Sequence, residues 1–282
     1  MKIALIAGTR PNFIKAAPVL LALGHFSEIQ TSLIHTGQHP DSAMSTGFLA
    51  ELGLPEPDFV LPGKHQSAIQ ETGRIALGLE PVLKKLNPDW VLVIGDVTST
   101  LAGALAAKQL GLKLAHIEAG LRSGDRSMPE ELNRTAVDHL ADLLFASEEA
   151  GLENLRAEGI APDRILFPGN VLIDALYNIL PKAEKLNPEE LIAVNAMLGQ
   201  HAGLTGHFAL ATFHRPSNVD ALQGLQRLVD LLSAVSSFMP VVFPVHPRTW
   251  ANLRKHGLEQ KLLCNPAVLV LQALGYAQMI CL

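Results

Sequence analysis

Short apolar runs alternate with helix-length segments along the first part of the chain, and this spacing predicts strands that are covered on both faces. KIALIA, residues 2–7, leads through a Gly-Thr-Arg-Pro turn into the helical pattern FIKAAPVLLAL, with Pro11 at a first-turn position. The strand IQTSLIHTG and the helical MSTGFLAELGL follow, and an amphipathic helix over 67–86 stops at Asn87-Pro88. Strands over 91–96 and 113–118 flank the helix TSTLAGALAAKQLG. The helix LNRTAVDHLADL, the strand LLFAS, the helix EEAGLENLRAEG and a strand around ILFPG complete the alternation. Strand and helix in turn specify a parallel α/β sheet with right-handed crossovers and helices on both faces.

Pro168-Gly169-Asn170 breaks the pattern, and the turn residues there put a domain boundary between Pro168 and Leu180. The expected organisation is a doubly wound, Rossmann-like domain over 1–170 and a second one over 171–282. In the second, a helical stretch runs to Gly199, and the strand in FALATFHRPSNVD ends on His214-Arg215-Pro216. A helix continues to Ser237, PVVFPVHP delivers His246 and Arg248 to a strand end, and AVLVLQALGY leads into AQMICL. Three strands are readable where a doubly wound domain has five or six, so the second domain is expected to be incomplete.

Composition narrows the class. A chain of 282 residues, 48% hydrophobic and 17% charged, describes a globular protein of two domains. None of its apolar runs approaches the roughly 18 residues of a membrane span, and the N-terminal run ends in the GTRP turn before a signal-peptide core. A net charge of -5 without a basic stripe excludes a nucleic-acid partner. Cys264 and Cys281 give neither a disulfide framework nor zinc-knuckle spacing, which makes the cytoplasm the expected compartment.

The candidate chemistry gathers between Val91 and Arg134. The strands VLVIGD and LKLAHIEAG each end in a carboxylate, Asp96 and Glu118, and ligands of open parallel sheets bind outside the carboxyl ends of the strands. Glu130 and Glu131 follow Pro129 at a helix start, where spacing alone allows either helix stabilisation or a third acidic group at the site. The GTRP turn is neither a dinucleotide fingerprint nor a P-loop. Arg10 and Lys15 at that helix start are either solvated cations or contacts for a phosphate or carboxylate. His35 and His39 close the second strand without a third ligand, so polar substrate contacts or plain loop positions are expected there rather than a metal site.

Eight segments in order, AGTRPNFIKAAP, HTGQHPD, GDVTST, HIEAGLR, PEELNR, PGNVLIDAL, FHRPSNVD and FPVHPR, resemble the non-hydrolysing UDP-N-acetylglucosamine 2-epimerases. The resemblance implies two facing Rossmann-like domains of the glycosyltransferase-B type that hold a nucleotide sugar in their cleft. It implies interconversion of UDP-N-acetylglucosamine and UDP-N-acetylmannosamine, by loss of UDP and the carbon 2 proton to 2-acetamidoglucal and re-addition on the other face. Asp96, Glu118 and Glu130 are the implied catalytic carboxylates, with Glu131 the fallback, and His214 steadies the diphosphate. Arg10, Lys15, His39, Arg122, Arg215 and His246 are implied substrate contacts. No metal and no redox cofactor is required, and a homodimer is expected. The family's Ser-Gly-Gly-Ile-Gln-Glu-Glu segment should follow the helix that begins near Gly275 and does not occur here, so the chain is expected to be C-terminally truncated, without half of the nucleotide clamp. Rival readings are a hydrolysing 2-epimerase, a glycosyltransferase on the same scaffold, and an inactive UDP-sugar-binding fragment.

Overall fold

The apolar runs do lie in parallel sheets. The structure, a computed structural model, describes residues 1–38, 46–63, 67–197 and 206–282. It divides into two units, Met1–Asn178 and Ile179–Leu282, and the division falls within a helix.

Unit 1 runs β1 (Lys2–Ala7), α1 (Arg10–Leu23), β2 (Gln30–His35), α2 (Thr46–Glu51), β3 (Phe59–Val60), α3 (Ala68–Leu86), β4 (Trp90–Ile94) and α4 (Thr98–Gln109). It continues with β5 (Lys113–Ala119), α5 (Pro129–Leu140), β6 (Leu143–Ala146), α6 (Glu149–Ala157), a 3-10 turn over Pro162–Arg164, β7 (Ile165–Leu166) and α7 (Val171–Ala183), which crosses the division. The strand order is β3-β2-β1-β4-β5-β6-β7, every pair parallel. The order reverses between β1 and β4, which opens a crevice at their carboxyl ends. The two-residue β3 is an edge strand that the sequence pattern does not announce, because so short a pairing has no periodicity of its own.

Helix boundaries follow local chemistry. Ser67 caps α3 by accepting from the Gln70 amide at 3.3 Å, and Asn87 ends it in the left-handed conformation. Ile75, Leu79 and Leu83, spaced by four, form its buried stripe. α4 is held close to the sheet by small residues: a Cβ at Gly103 would lie 3.0 Å from both Ile6 and Val93. The core joins Ile6, Val93 and Leu114 of the strands to Leu79, Ala104 and Val137 of the helices.

Unit 2 contains α8 (Pro188–Asn195), β8 (Ala209–Leu210), α9 (Pro216–Val219), α10 (Leu222–Ser236), β9 (Val241–Pro244), α11 (Pro247–Lys255), α12 (Glu259–Leu263), β10 (Val268–Leu271) and α13 (Tyr276–Cys281). Its three described strands are parallel in the order β10-β9-β8, and α10 packs Leu225, Leu228 and Val229 into one core with Phe243 and Val270. The helical stretch expected up to Gly199 is two helices, because Asn187 accepts from the Glu189 and Glu190 amides and starts α8 anew. FALATF pairs only over Ala209–Leu210.

Candidate active site

The crevice at the β1/β4 reversal is built from two tight turns. After β1, Thr9 starts α1, and the Asn12 Oδ1 accepts from the Gly8 and Thr9 amides at 3.4 and 3.3 Å, while its Nδ2 donates to the Ile94 carbonyl at 3.0 Å. After β4, Gly95 takes φ +71° and hands the chain to Asp96. The N-terminus of α4 is filled from the turn after β2: Gln38 Oε1 accepts from the Ser99 amide at 3.0 Å and hydroxyl at 2.6 Å. Glu118 sits where the β5/β6 register shifts, at φ +68°, one of two non-glycine residues with positive φ among the described residues. Such a bulge re-aims a side chain at a strand end.

Four charged side chains meet there. Lys15 pairs with Glu118 Oε2, and the two side chains are only 13% and 14% exposed. Arg134, on the second turn of α5 and 8% exposed, donates through Nη2 to Asp96 Oδ2 at 2.5 Å and lies 3.8 Å from Glu118 Oε1. Its Nη1 donates to the Glu118 carbonyl, and the neighbouring Asn133 Nδ2 donates to the Asp96 carbonyl at 2.8 Å. Asp96 keeps 28% of its side chain exposed, so this carboxylate remains open to solvent while it is held. A single guanidinium thus links two carboxylates from adjacent strands, with an ammonium on the other side of Glu118.

The remaining predicted residues of unit 1 separate by role. Glu131 accepts from the Ser123 amide at 2.7 Å, the Ser123 hydroxyl at 2.9 Å and the Gly124 amide at 3.2 Å. Those bonds, led by the Ser123 amide, hold its carboxyl below the usual range. Glu130, beside it, is exposed. Arg122 is engaged by Glu158 through two bonds of 2.7 and 2.8 Å and by Asp138 at 2.8 Å. Burial works against its charge, but Glu158 and Asp138 outweigh it and raise the guanidinium above its ordinary value. Arg10 lies over the Phe48 ring at 5.0 Å. His35 is buried, stacks on Phe13 at 5.1 Å and accepts from the Gly37 amide at 2.8 Å. His39 lies outside the described residues.

In unit 2, the exposed rings of His214 and His246 stand 6.2 Å apart beyond the ends of β8 and β9. His246 Nδ1 accepts from the Arg248 amide at 3.2 Å, and Arg248 forms a forked pair with Asp220 at 2.7 and 2.5 Å. Arg215 is exposed beside His214.

Three polar residues carry the site without having been singled out in sequence: Arg134, His116 and Asp138. The last two are fully buried, with His116 Nδ1 2.7 Å from Asp138 Oδ1 and Nε2 2.7 Å from the Gly95 carbonyl. A signal was available, since His116 interrupts an otherwise apolar buried strand, and buried polar groups require partners. A groove of about 850 Å³ also touches Glu118 and Ser147, but Ile3, Leu92, Ile117 and Phe145 line it and it offers no lysine or arginine.

The parallel sheets, the reversal and the acids at the strand ends define an α/β protein of the Rossmann-like, glycosyltransferase-B class. The family model described as UDP-N-acetylglucosamine 2-epimerase matches residues 22–282. The chain is 39% identical over 279 residues to a UDP-N-acetylglucosamine 2-epimerase of Methanococcus maripaludis, covering 98% of this chain and 74% of that one. It is 38% identical to a UDP-2,3-diacetamido-2,3-dideoxy-D-glucuronate 2-epimerase of Pseudomonas aeruginosa, over 99% of this chain and 75% of that one. The crystal structure of the Methanocaldococcus jannaschii UDP-GlcNAc 2-epimerase in complex with UDP-GlcNAc and UDP superposes with a TM-score of 0.87 at 37% identity, covering 99% and 75% of the two chains. This chain belongs to the UDP-N-acetylglucosamine 2-epimerase family. None of its described helices is long and apolar enough to cross a membrane.

Proposed function

We propose that the protein interconverts UDP-N-acetylglucosamine and UDP-N-acetylmannosamine without hydrolysis. The observation that carries this reading is Asp96 and Glu118, brought from the ends of β4 and β5 onto the one guanidinium of Arg134. A 2-epimerisation by elimination removes the carbon 2 proton while the bond from carbon 1 to the UDP oxygen breaks, leaving 2-acetamidoglucal and UDP. Re-addition of UDP to carbon 1 returns a proton to carbon 2 on the opposite face. Two positioned acid/base groups are therefore required, and a pair of carboxylates held by one shared guanidinium meets that need.

In this reading Asp96 and Glu118 handle the protons, and Glu130, exposed beside the committed Glu131, is the third carboxylate. Lys15 and Arg134 position the pair, and Arg10 contacts the substrate. His214, with His246 and Arg215, takes the negative charge that develops on the departing diphosphate. Arg122, bound to Asp138 and Glu158, supports the site rather than the substrate. The reading also takes the protein to be a cytoplasmic homodimer.

Incubation with UDP-N-acetylglucosamine in deuterated water tests the reaction. Deuterium at carbon 2 together with the manno epimer is the expected result. Release of free N-acetylmannosamine and UDP would assign hydrolysis instead, and no exchange in this sugar or in the diacetamido-glucuronate considered next would refute the epimerase reading. The Pseudomonas relative favours one alternative substrate, a UDP-diacetamido-glucuronate with the same carbon 2 chemistry. Faster exchange in that sugar than in UDP-N-acetylglucosamine would select it.

A further inference from the structure

We infer that His116 and Asp138 form a buried positioning pair in which both imidazole nitrogens donate, and that this pair fixes the backbone carrying Asp96 and Glu118. The kinetic part rests on the reaction proposed above; the hydrogen-bond part does not. Both side chains are fully buried, so water does not complete their bonding. The Gly95 carbonyl, 2.7 Å from Nε2, can only accept, so Nε2 carries a proton. Nδ1 faces Asp138 Oδ1 at 2.7 Å. The other oxygen, Oδ2, accepts from the Gly120 amide at 3.0 Å and from Arg122 at 2.8 Å. The permanently charged Arg122 guanidinium and the Gly120 amide, both on Oδ2, favour the ionised form against burial, which leaves Asp138 a carboxylate. Nδ1 must then donate as well.

The contacts fall on the backbone that matters. The Gly95 carbonyl immediately precedes Asp96, and the Gly120 amide lies two residues after the left-handed Glu118. Asp138 stands four residues after Arg134 on the same face of α5, so this face holds the end of β4 through Arg134 and the end of β5 through both residues. A non-glycine residue at positive φ persists only where its surroundings over-determine it, and these bonds do so.

The first measurement is a ¹⁵N–¹H correlation of the histidine rings in the full chain, with His116→Gln used to assign the signals. Two slowly exchanging N–H signals from His116 are expected, and a ring with Nδ1 unprotonated would overturn the pair. The second is Asp138→Leu, which keeps similar volume and removes both acceptor oxygens, whereas an asparagine there could still accept from Gly120 and Arg122 and donate to a neutral Nδ1. Its kcat for carbon 2 exchange should fall about a hundredfold with KM within about twofold, while a melting curve confirms folding. A folded variant with unchanged kcat, or one whose loss lies wholly in KM, would overturn positioning. If Asp138→Leu does not fold, Asp138→Glu is judged by the same criteria. Should the wild type show no exchange at all, the proposed reaction fails while the ring spectrum still decides the pair.

Discussion

Arg134→Met is the most informative single change, because it keeps the apolar stem and removes only the fork between Asp96 and Glu118. Two bonds disappear, Nη2 to Asp96 Oδ2 at 2.5 Å and Nη1 to the Glu118 carbonyl. A hydrogen bond to a charged group contributes about 1.5–3 kcal/mol and one to a neutral acceptor about 1. Asp96 is 28% exposed, so solvent recovers part of the first contribution. The net loss comes to about 2–3 kcal/mol. For a unit of this size that lowers Tm by about 5–10 °C. The effect on chemistry is larger, since displacement of a reacting group by about 1 Å costs about a hundredfold in rate. Calorimetry and deuterium exchange at carbon 2 measure the two effects on the same sample. Arg134→Lys, which keeps the charge without the fork, should regain Tm more than rate. A Met variant that melts lower yet exchanges at the wild-type rate would refute the argument that Arg134 sets the geometry of the carboxylates.

Glu130→Gln should lower kcat by about a hundredfold with Tm unchanged, whereas Glu131→Ala should loosen the turn at Ser123-Gly124 and speed proteolytic cleavage there; the reverse outcome would exchange their roles. Gly120→Ala should lower Tm strongly or prevent folding, because the new Cβ would lie 2.2 Å from the Gly151 carbonyl oxygen and φ is +82°. Asp138 is held below its unfolded value, so its stabilisation is fully present above about pH 4 and is lost as pH falls through the folded value. Melting curves from neutral to strongly acid pH should show that loss, and Asp138→Asn should flatten it.

The alternation of apolar strand and helix was legible because parallel strands buried on both faces are continuous runs of branched residues, as in KIALIA and WVLVI. The placement of Asp96 and Glu118 was legible for the same reason: an acid that ends such a run falls at the carboxyl edge of the sheet. What escaped was set by partners distant in sequence. β3 exists because β2 offers it an edge, and Arg134 looks like any helical arginine until Asp96, 38 positions away, is seen against it. Glu130 and Glu131 are chemically identical neighbours, and only the orientation of the first turn of α5 separates the exposed one from the one bound to Ser123. β8 was expected to be longer than its pairing, since apolar composition in FALATF marks a potential strand and not the extent of its ladder.

The left-handed backbone of Glu118 bears on how such a sequence is preserved. A side chain in that conformation costs about 1–2 kcal/mol, and glycine would carry it more cheaply. A lineage screened for heat resistance alone, and free to change Lys15 at the same time, is therefore pulled toward glycine at 118 and away from the proposed chemistry. Persistence of glutamate at this position would record selection for turnover rather than for durability, and a library sorted first by melting temperature and then by carbon 2 exchange would show the two pressures diverge at this one residue.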